Sequence, residues 1–408
     1  MSLNTTPKGL RLHIAILGRR NVGKSSLLNR LTNQNVSIVS EYAGTTTDPV
    51  EKPMELLPFG PVLFIDTAGI DDVGALGELR IKKTEKVLDR ADIVLLVIEG
   101  NTFGKYEEKI IKLLKEKSLP FIIVVNKIDT IPLTQEVENK ISNYAYLKIS
   151  SKTGEGVENL KNEIIKNAPD EFINNPTIVG DLVPSGGLIL LVVPIDLEAP
   201  KGRLILPQVQ VIRDILDNDA YAMIVKEREL PDALNRLNKK PDLVVCDSQV
   251  VLKVAGYTPD DIPLTTFSIL FARFKGDLIE LVKGVKALDQ LENGAKILIA
   301  EACTHHPIED DIGRVKIPRW IKQYTGKNFQ FEVKSGYDFP EDLNKYNLII
   351  HCGSCMLNRK LTLNRIYKAK AKNIPITNYG VTISYVHGVL KRALSPFPIA
   401  YEIFAENK

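Results

Sequence analysis

The sequence predicts an α/β protein in three parts: a parallel sheet covered by helices, a small α/β domain, and a Rossmann-like α/β domain. Three observations carry this. The 408 residues exceed what one ordinary hydrophobic core holds. Short β-rich runs alternate with amphipathic stretches, the pattern of helices laid over a parallel sheet. Turn-forming residues, Pro169-Asp170 and Asn174-Asn175-Pro176, interrupt that pattern and mark a linker.

The first block, residues 1–168, reads as strands Leu12–Leu17, Val62–Asp66, Ile93–Ile98, Phe121–Asn126 and Tyr146–Ile149. A second block, 178–263, carries strand-like Leu188–Ile195, Ala222–Lys226 and Leu243–Cys246, with helical Gln208–Leu216 and Pro231–Leu237. Its core is small, so a partner surface would help it fold. In the third block, 264–408, the strands Lys296–Ala300 and Leu348–His351 each lead toward cysteines.

Composition narrows the function classes. Apolar residues make up 44% and charged residues 25%, as in soluble globular chains. A net charge of +3 with no basic stripe gives no reason to expect nucleic acid. The apolar runs are strand-length, too short for a bilayer, and no signal-peptide region follows Met1. A cytoplasmic protein without a membrane partner is expected. In that compartment the four cysteines stay reduced, and clustered ones point to metal or redox chemistry.

Gly18-Arg19-Arg20-Asn21-Val22-Gly23-Lys24-Ser25 fits the P-loop pattern, placed after an apolar strand and opening a helix that continues with Ser26. The glycines let backbone N–H groups wrap phosphates at a helix N-terminus, where the dipole favours anions. Lys24 is expected on the β- and γ-phosphates, and Ser25 on Mg²⁺. Asp66 in Asp66-Thr67-Ala68-Gly69 suits Mg²⁺ held largely through water, and the Gly69 N–H can meet the γ-phosphate. Gly44-Thr45-Thr46-Thr47-Asp48 lies in a polar loop able to add a second Mg²⁺ hydroxyl. In Asn126-Lys127-Ile128-Asp129 a single carboxylate, Asp129, can accept both donors on the guanine edge. Adenine would leave it unpaired. Ser150-Ser151-Lys152 completes the base pocket, making this a GTP site.

These elements, in this order, resemble the GTPase branch that contains TrmE, Era and EngA. The resemblance implies that Thr46 binds Mg²⁺ and that Asn21 coordinates a K⁺ ion, placing Lys24, Thr46 and Asn21 in the catalytic machinery. Ile70 stands where Ras-like proteins carry a water-orienting glutamine. Slow hydrolysis, faster in K⁺ than in Na⁺, is expected, and equal rates in the two salts would remove the K⁺ assignment.

Cys303-Thr304-His305-His306 and His351-Cys352-Gly353-Ser354-Cys355 both follow apolar strands. In a parallel sheet the carboxyl ends of strands gather ligands, so the two groups can meet. Three thiolates including a Cys-x-x-Cys pair suit either Zn²⁺ with a histidine or an iron–sulfur cluster. His305 and His351 are candidate ligands or outer-shell groups. Cys246, alone at a strand end, reads as a buried small hydrophobe.

Taken together, the GTPase block, the middle block and Cys303-x-His305, forty-five intervening residues, then His351-Cys352-x-x-Cys355 resemble the HydF family of [FeFe]-hydrogenase maturation GTPases. The resemblance implies a [4Fe–4S] cluster on Cys303, Cys352 and Cys355, with one iron open to His305, His351, a carboxylate or solvent. It further implies a homodimer, a carried diiron precursor, and partners that include apo-[FeFe]-hydrogenase and radical-SAM maturation enzymes. Two other readings stay open: an RNA-modification or ribosome-associated GTPase with a zinc-stabilised C-terminal module, and a GTPase whose cluster senses oxidation state.

Overall fold

The computed structural model describes residues 6–32, 49–56, 60–67, 84–169, 172, 177–195, 204–302 and 311–406. The chain divides into two compact units, Met1–Asn175 and Pro176–Lys408. No helix among the described residues is long and apolar enough to cross a membrane.

The first unit is built on a six-stranded sheet in the order β2-β3-β1-β4-β5-β6, with β1 Leu12–Leu17, β2 Val50–Leu56, β3 Gly60–Asp66, β4 Ile93–Glu99, β5 Phe121–Asn126 and β6 Tyr146–Lys148. All neighbours are parallel except β2, which runs antiparallel to β3. The sheet is buried on both faces, as continuous apolar runs require. Successive residues feed opposite cores: Ile93, Leu95 and Val97 join one, while Val94, Leu96 and Ile98 join the other. Burying about eleven apolar strand residues this way is what makes β1 and β4 central.

β2 is absent from the sequence expectation, for a physical reason. It is an edge strand reading Val-Glu-Lys-Pro-Met-Glu-Leu, with one buried residue, Leu56. Pro53 can sit there because an edge strand leaves half its N–H groups outside the ladder.

The second unit holds two parallel four-stranded sheets. One is ordered β10-β9-β7-β8, from β7 Leu188–Val192, β8 Tyr221–Val225, β9 Leu243–Cys246 and β10 Leu264–Thr266. The other is ordered β12-β11-β13-β14, from β11 Lys296–Ala300, β12 Gln330–Lys334, β13 Leu348–His351 and β14 Ile376–Asn378. A single apolar core runs through both, from Val244 and Val245 to Ile299 and Ile350.

This corrects the boundary expected between residues 263 and 264. β10 lies beyond it yet pairs with β9, Leu264 opposite Val244. Pro263 leads into that strand rather than ending a domain, its carbonyl accepting from Val244 N–H at 2.9 Å. Lying just before the strand, it needs no ladder donor, so proline is tolerated there.

Candidate functional site

β1 ends at Leu17 and the chain turns through Gly18–Gly23 into the helix Lys24–Thr32. Gly18 and Gly23 have φ of +150° and +91°. A Cβ on Gly18 would lie 2.4 Å from the Val97 carbonyl oxygen, and one on Gly23 2.3 Å from Asn126 Nδ2. The loop can take this course only with glycine at both places.

Lys24 is buried and donates to the carbonyls of Gly18 at 2.8 Å and Arg19 at 2.6 Å. Its ammonium thus spans the loop that would encircle a phosphate. Ser25 Oγ donates to Asp66 Oδ2 at 3.0 Å, while Asp66 Oδ1 is buried with no hydrogen-bond partner among the described residues. Burial raises the Asp66 pKa, and the Ser25 hydrogen bond and the Lys24 charge oppose that rise. A buried carboxylate oxygen without a donor, beside a serine hydroxyl, is the donor set a hard cation such as Mg²⁺ takes.

The residues expected to contact the base come together at the ends of β5 and β6. Asp129 accepts from Ser150 Oγ at 2.7 Å, which fixes the carboxylate. It lines a cleft of about 730 Å³ with Gly23, Ser26, Asn126, Lys127, Ser151 and Lys152. Asn126 and Lys127 have a further task the sequence did not reveal. Asn126 Nδ2 donates to the Val22 carbonyl at 2.9 Å, while its Oδ1 accepts from Ser151 N–H and Oγ at 3.0 and 2.8 Å. Lys127 Nζ donates to the Asn21 carbonyl at 2.6 Å and pairs with Glu99 at 2.5 Å. Both side chains tie the base loops to the phosphate loop.

Glu107 is a residue that the sequence did not single out. It is almost fully buried and takes both Arg19 Nε and Nη2 at 2.7 Å, while accepting from Gly104 N–H at 2.8 Å. The P-loop is thereby pinned to the helix Lys105–Glu116. Glu107→Ala strips Arg19 of a bidentate partner. Because Arg19 remains about one-third exposed, a loss of about 1–2 kcal/mol is expected, below the fully buried range. Thermal melts of the variant with and without GDP check this. An unchanged melt would show that the pair does not anchor the loop. Thr46 and Gly69, with Ile70, lie outside the described residues.

At the other candidate site β11 and β13 are direct neighbours, Ala300 opposite His351. Their carboxyl ends therefore lie side by side. Cys352 N–H donates to the Ala300 carbonyl at 2.9 Å, and Ala302 N–H points at Cys352 Sγ at 3.0 Å. Cys303 follows Ala302 in sequence, but Cys303 and His305 lie outside the described residues. Among the described residues no group of three or more His, Cys, Asp or Glu side chains is placed to hold a metal ion.

The Cys352–Cys355 turn is tight, with Ser354 at φ +56°. Lys275 lies beneath it, donating to the carbonyls of Ser354, Cys355 and Leu357 at 3.2, 3.1 and 2.8 Å. Burial lowers its pKa to about 8, against the opposing fields of Cys355 and Cys352. Burial raises the Cys355 thiol, and the Lys275 charge works against that rise.

His351, a candidate iron ligand, has both ring nitrogens engaged by neighbouring protein groups in this structure. Arg365 Nη1 donates to its Nε2 at 2.9 Å. A guanidinium has no acceptor, so Nε2 must be the acceptor and Nδ1 carries the proton. Nδ1 faces the Cys352 carbonyl at 3.0 Å and Ser354 Oγ at 3.2 Å. Burial, then the Arg365 charge, holds the ring pKa down to about 3, so it stays neutral at physiological pH. Its place is to position the loop. Glu301, the carboxylate two residues before Cys303, is likewise engaged, by Arg314 Nη2 and Ser335 Oγ at 2.8 Å each. Cys246 is fully buried at the end of β9, with its thiol pKa raised by burial, as a packing residue requires.

Comparison with known proteins matches three family models. Residues 13–127 match the 50S ribosome-binding GTPase model, 178–276 the hydrogen maturase F dimerization domain, and 279–396 the hydrogen maturase F tetramerization domain. The chain is 39% identical over 167 residues to the GTPase Der of Wolinella succinogenes, covering 38% of this chain and 35% of that protein. It is 39% identical over 179 residues to the tRNA modification GTPase MnmE of Flavobacterium johnsoniae, covering 41% and 38%. The chain therefore spans little more than a third of the length of these relatives, and the likeness is one of GTPase domains. Among solved structures, Aquifex aeolicus Era bound to GDP·AlF4⁻ covers 55% of this chain and 98% of its own, with 21% identity and a TM-score of 0.34. A P-loop GTPase unit followed by both family-specific assembly domains places the chain in the hydrogen maturase F family of GTPases.

Proposed function

We propose that this chain is a GTP-regulated scaffold that carries a [4Fe–4S] cluster on Cys303, Cys352 and Cys355 and delivers a diiron precursor to apo-[FeFe]-hydrogenase. The observation that carries the reading is the meeting of the β11 and β13 ends, where Ala302 N–H reaches Cys352 Sγ one residue before Cys303. An N–H aimed at sulfur favours a thiolate, the form that binds iron. With His351 held by Arg365 and Glu301 by Arg314, the three thiolates leave one iron to an exchangeable ligand, for which His305, another carboxylate or solvent are the candidates. Such an iron can accept an incoming group, whereas full thiolate capping suits electron transfer alone.

In this reading the nucleotide is the switch. Lys24 neutralises phosphate charge, Ser25 and Asp66 hold Mg²⁺ with Thr46, Asn21 holds K⁺, and Asp129 selects guanine. Gly69 reports the γ-phosphate, and hydrolysis changes docking with hydrogenase and the radical-SAM enzymes rather than driving cluster chemistry. Assembly supports a carrier role. β8 is a sheet edge whose Tyr221 and Ile224 are 67% and 46% exposed, a surface suited to a second copy in a dimer. The cytoplasm supplies the reducing conditions that free thiols need.

The test is metal and sulfide analysis, with an absorption spectrum, on protein purified without oxygen. Iron and sulfide in equal amounts, and a spectrum altered by added ligands, are expected. Stoichiometric zinc without iron would overturn the reading in favour of a zinc-stabilised module.

A further inference from the structure

The Cys352–Cys355 loop rests on two buried cations that come from different parts of the fold. Lys275 is 1% exposed and ends the helix Phe267–Lys275, within the stretch matched to the dimerization domain. The loop itself lies within the stretch matched to the tetramerization domain. Arg365, 2% exposed, sits in the helix Arg359–Ala371. Besides His351 it donates to the Gly336 carbonyl at 2.6 Å and packs over the Phe339 ring at 5.0 Å, while its buried Nε has no partner among the described residues.

Lys275 uses all three donors on carbonyls, beside the Phe271 ring at 5.7 Å. Among the described residues neither cation forms an ion pair with a carboxylate. Burying one unpaired charge costs several kcal/mol, and burying two of the same sign beside each other's loop costs more. A fold keeps such a pair when a negative charge belongs between them. The group whose negative field reaches both is Cys352; Cys355 adds to it at Lys275, and Tyr337 and Asp338 add more weakly at Arg365.

We propose that Lys275 and Arg365 are positioning residues that hold the Cys352–Cys355 loop and place fixed positive charge under an anionic thiolate-bound iron–sulfur cluster, raising its reduction potential. Reduction adds an electron to an already negative group, and a nearby buried cation stabilises the reduced form more than the oxidised one. Lys275 acts through the loop carbonyls and Arg365 through His351, so neither touches the iron. This inference rests on the cluster reading above.

The experiment is an EPR-monitored redox titration of the full chain, reconstituted without oxygen, with iron and sulfide measured on each sample. In Lys275→Met chains that load iron and sulfide, the one-electron reduction equilibrium is expected to shift at least tenfold toward the oxidised form, a drop of about 59 mV. Lys275→Arg keeps the charge and stays close to the parent. Arg365→Gln shifts the potential in the same direction and gives a reading independent of the lysine's carbonyl bonds. A fully loaded Lys275→Met chain with the parent potential overturns the proposal. If Lys275→Met does not fold, an unshifted Arg365→Gln does so, and failure of both to fold leaves the cations a purely structural task and overturns it too. A parent chain that binds no iron and sulfide is recognised before any substitution is made, and it sinks the cluster reading together with this one.

Discussion

Asp129→Asn is expected to weaken GTP binding on the order of 10³-fold, because a site built to pair polar groups rejects a mismatch strongly. Guanine offers two donors on one edge, N1–H and the N2 amino group. A carboxylate meets both with charge-assisted bonds, the strongest class of neutral-to-ion contact in such pockets. Asparagine offers one acceptor and one donor, so one pair loses its charge and the other becomes donor against donor. Ser150 Oγ at 2.7 Å keeps the side chain in place, which means the variant cannot readily swing aside to escape the clash. A nucleotide whose base carries a carbonyl at C2 should recover part of the affinity, since an acceptor then faces the new amide N–H. Fluorescence titration with labelled guanine and xanthine nucleotides reads both effects. Unchanged GTP affinity would remove Asp129 from the base pocket.

How much of this was legible in the sequence depends on whether a residue's task is local. The P-loop was, because Gly18 and Gly23 are demanded by φ and by the close approach of Val97 and Asn126. The central strands were too, since β1 and β4 are apolar on both faces. The struts made by Asn126 and Lys127 were not, because their partners Val22 and Asn21 stand about a hundred residues away. Glu107 is hidden for the same reason. Its burial follows from Arg19 rather than from its own neighbours. β2, β10, β12 and β14 escaped notice because edge and short strands carry too few apolar residues for a period-two signal. Lys275 and Arg365 are the extreme case, since a lone cation in a helical pattern reads as a solvated face. Only the fold puts them beneath a cysteine loop.

Cys352→Ala and Cys355→Ala are each expected to remove iron and sulfide to background while leaving GTP hydrolysis within about twofold of the parent. The first half follows from ligand count. In the proposed arrangement a cubane with one iron already open cannot lose a further thiolate and remain anchored at neutral pH, since substitute ligands from solvent bind far more weakly than a chelating pair. The second half follows from placement. The described residues of the nucleotide cleft all belong to the unit Met1–Asn175, and both cysteines belong to Pro176–Lys408. Folding of the second unit should survive, because both side chains are only half-buried and removing one sulfur leaves a small void. Cys246→Ala is the matched control: it deletes a thiol that is fully buried in the core, so it is expected to cost stability but not iron. Parallel iron, sulfide, phosphate-release and melting measurements separate these outcomes. Iron retained after loss of Cys352 would mean that the cluster sits elsewhere, whereas hydrolysis abolished along with iron would mean that the cluster controls the nucleotide site rather than the reverse.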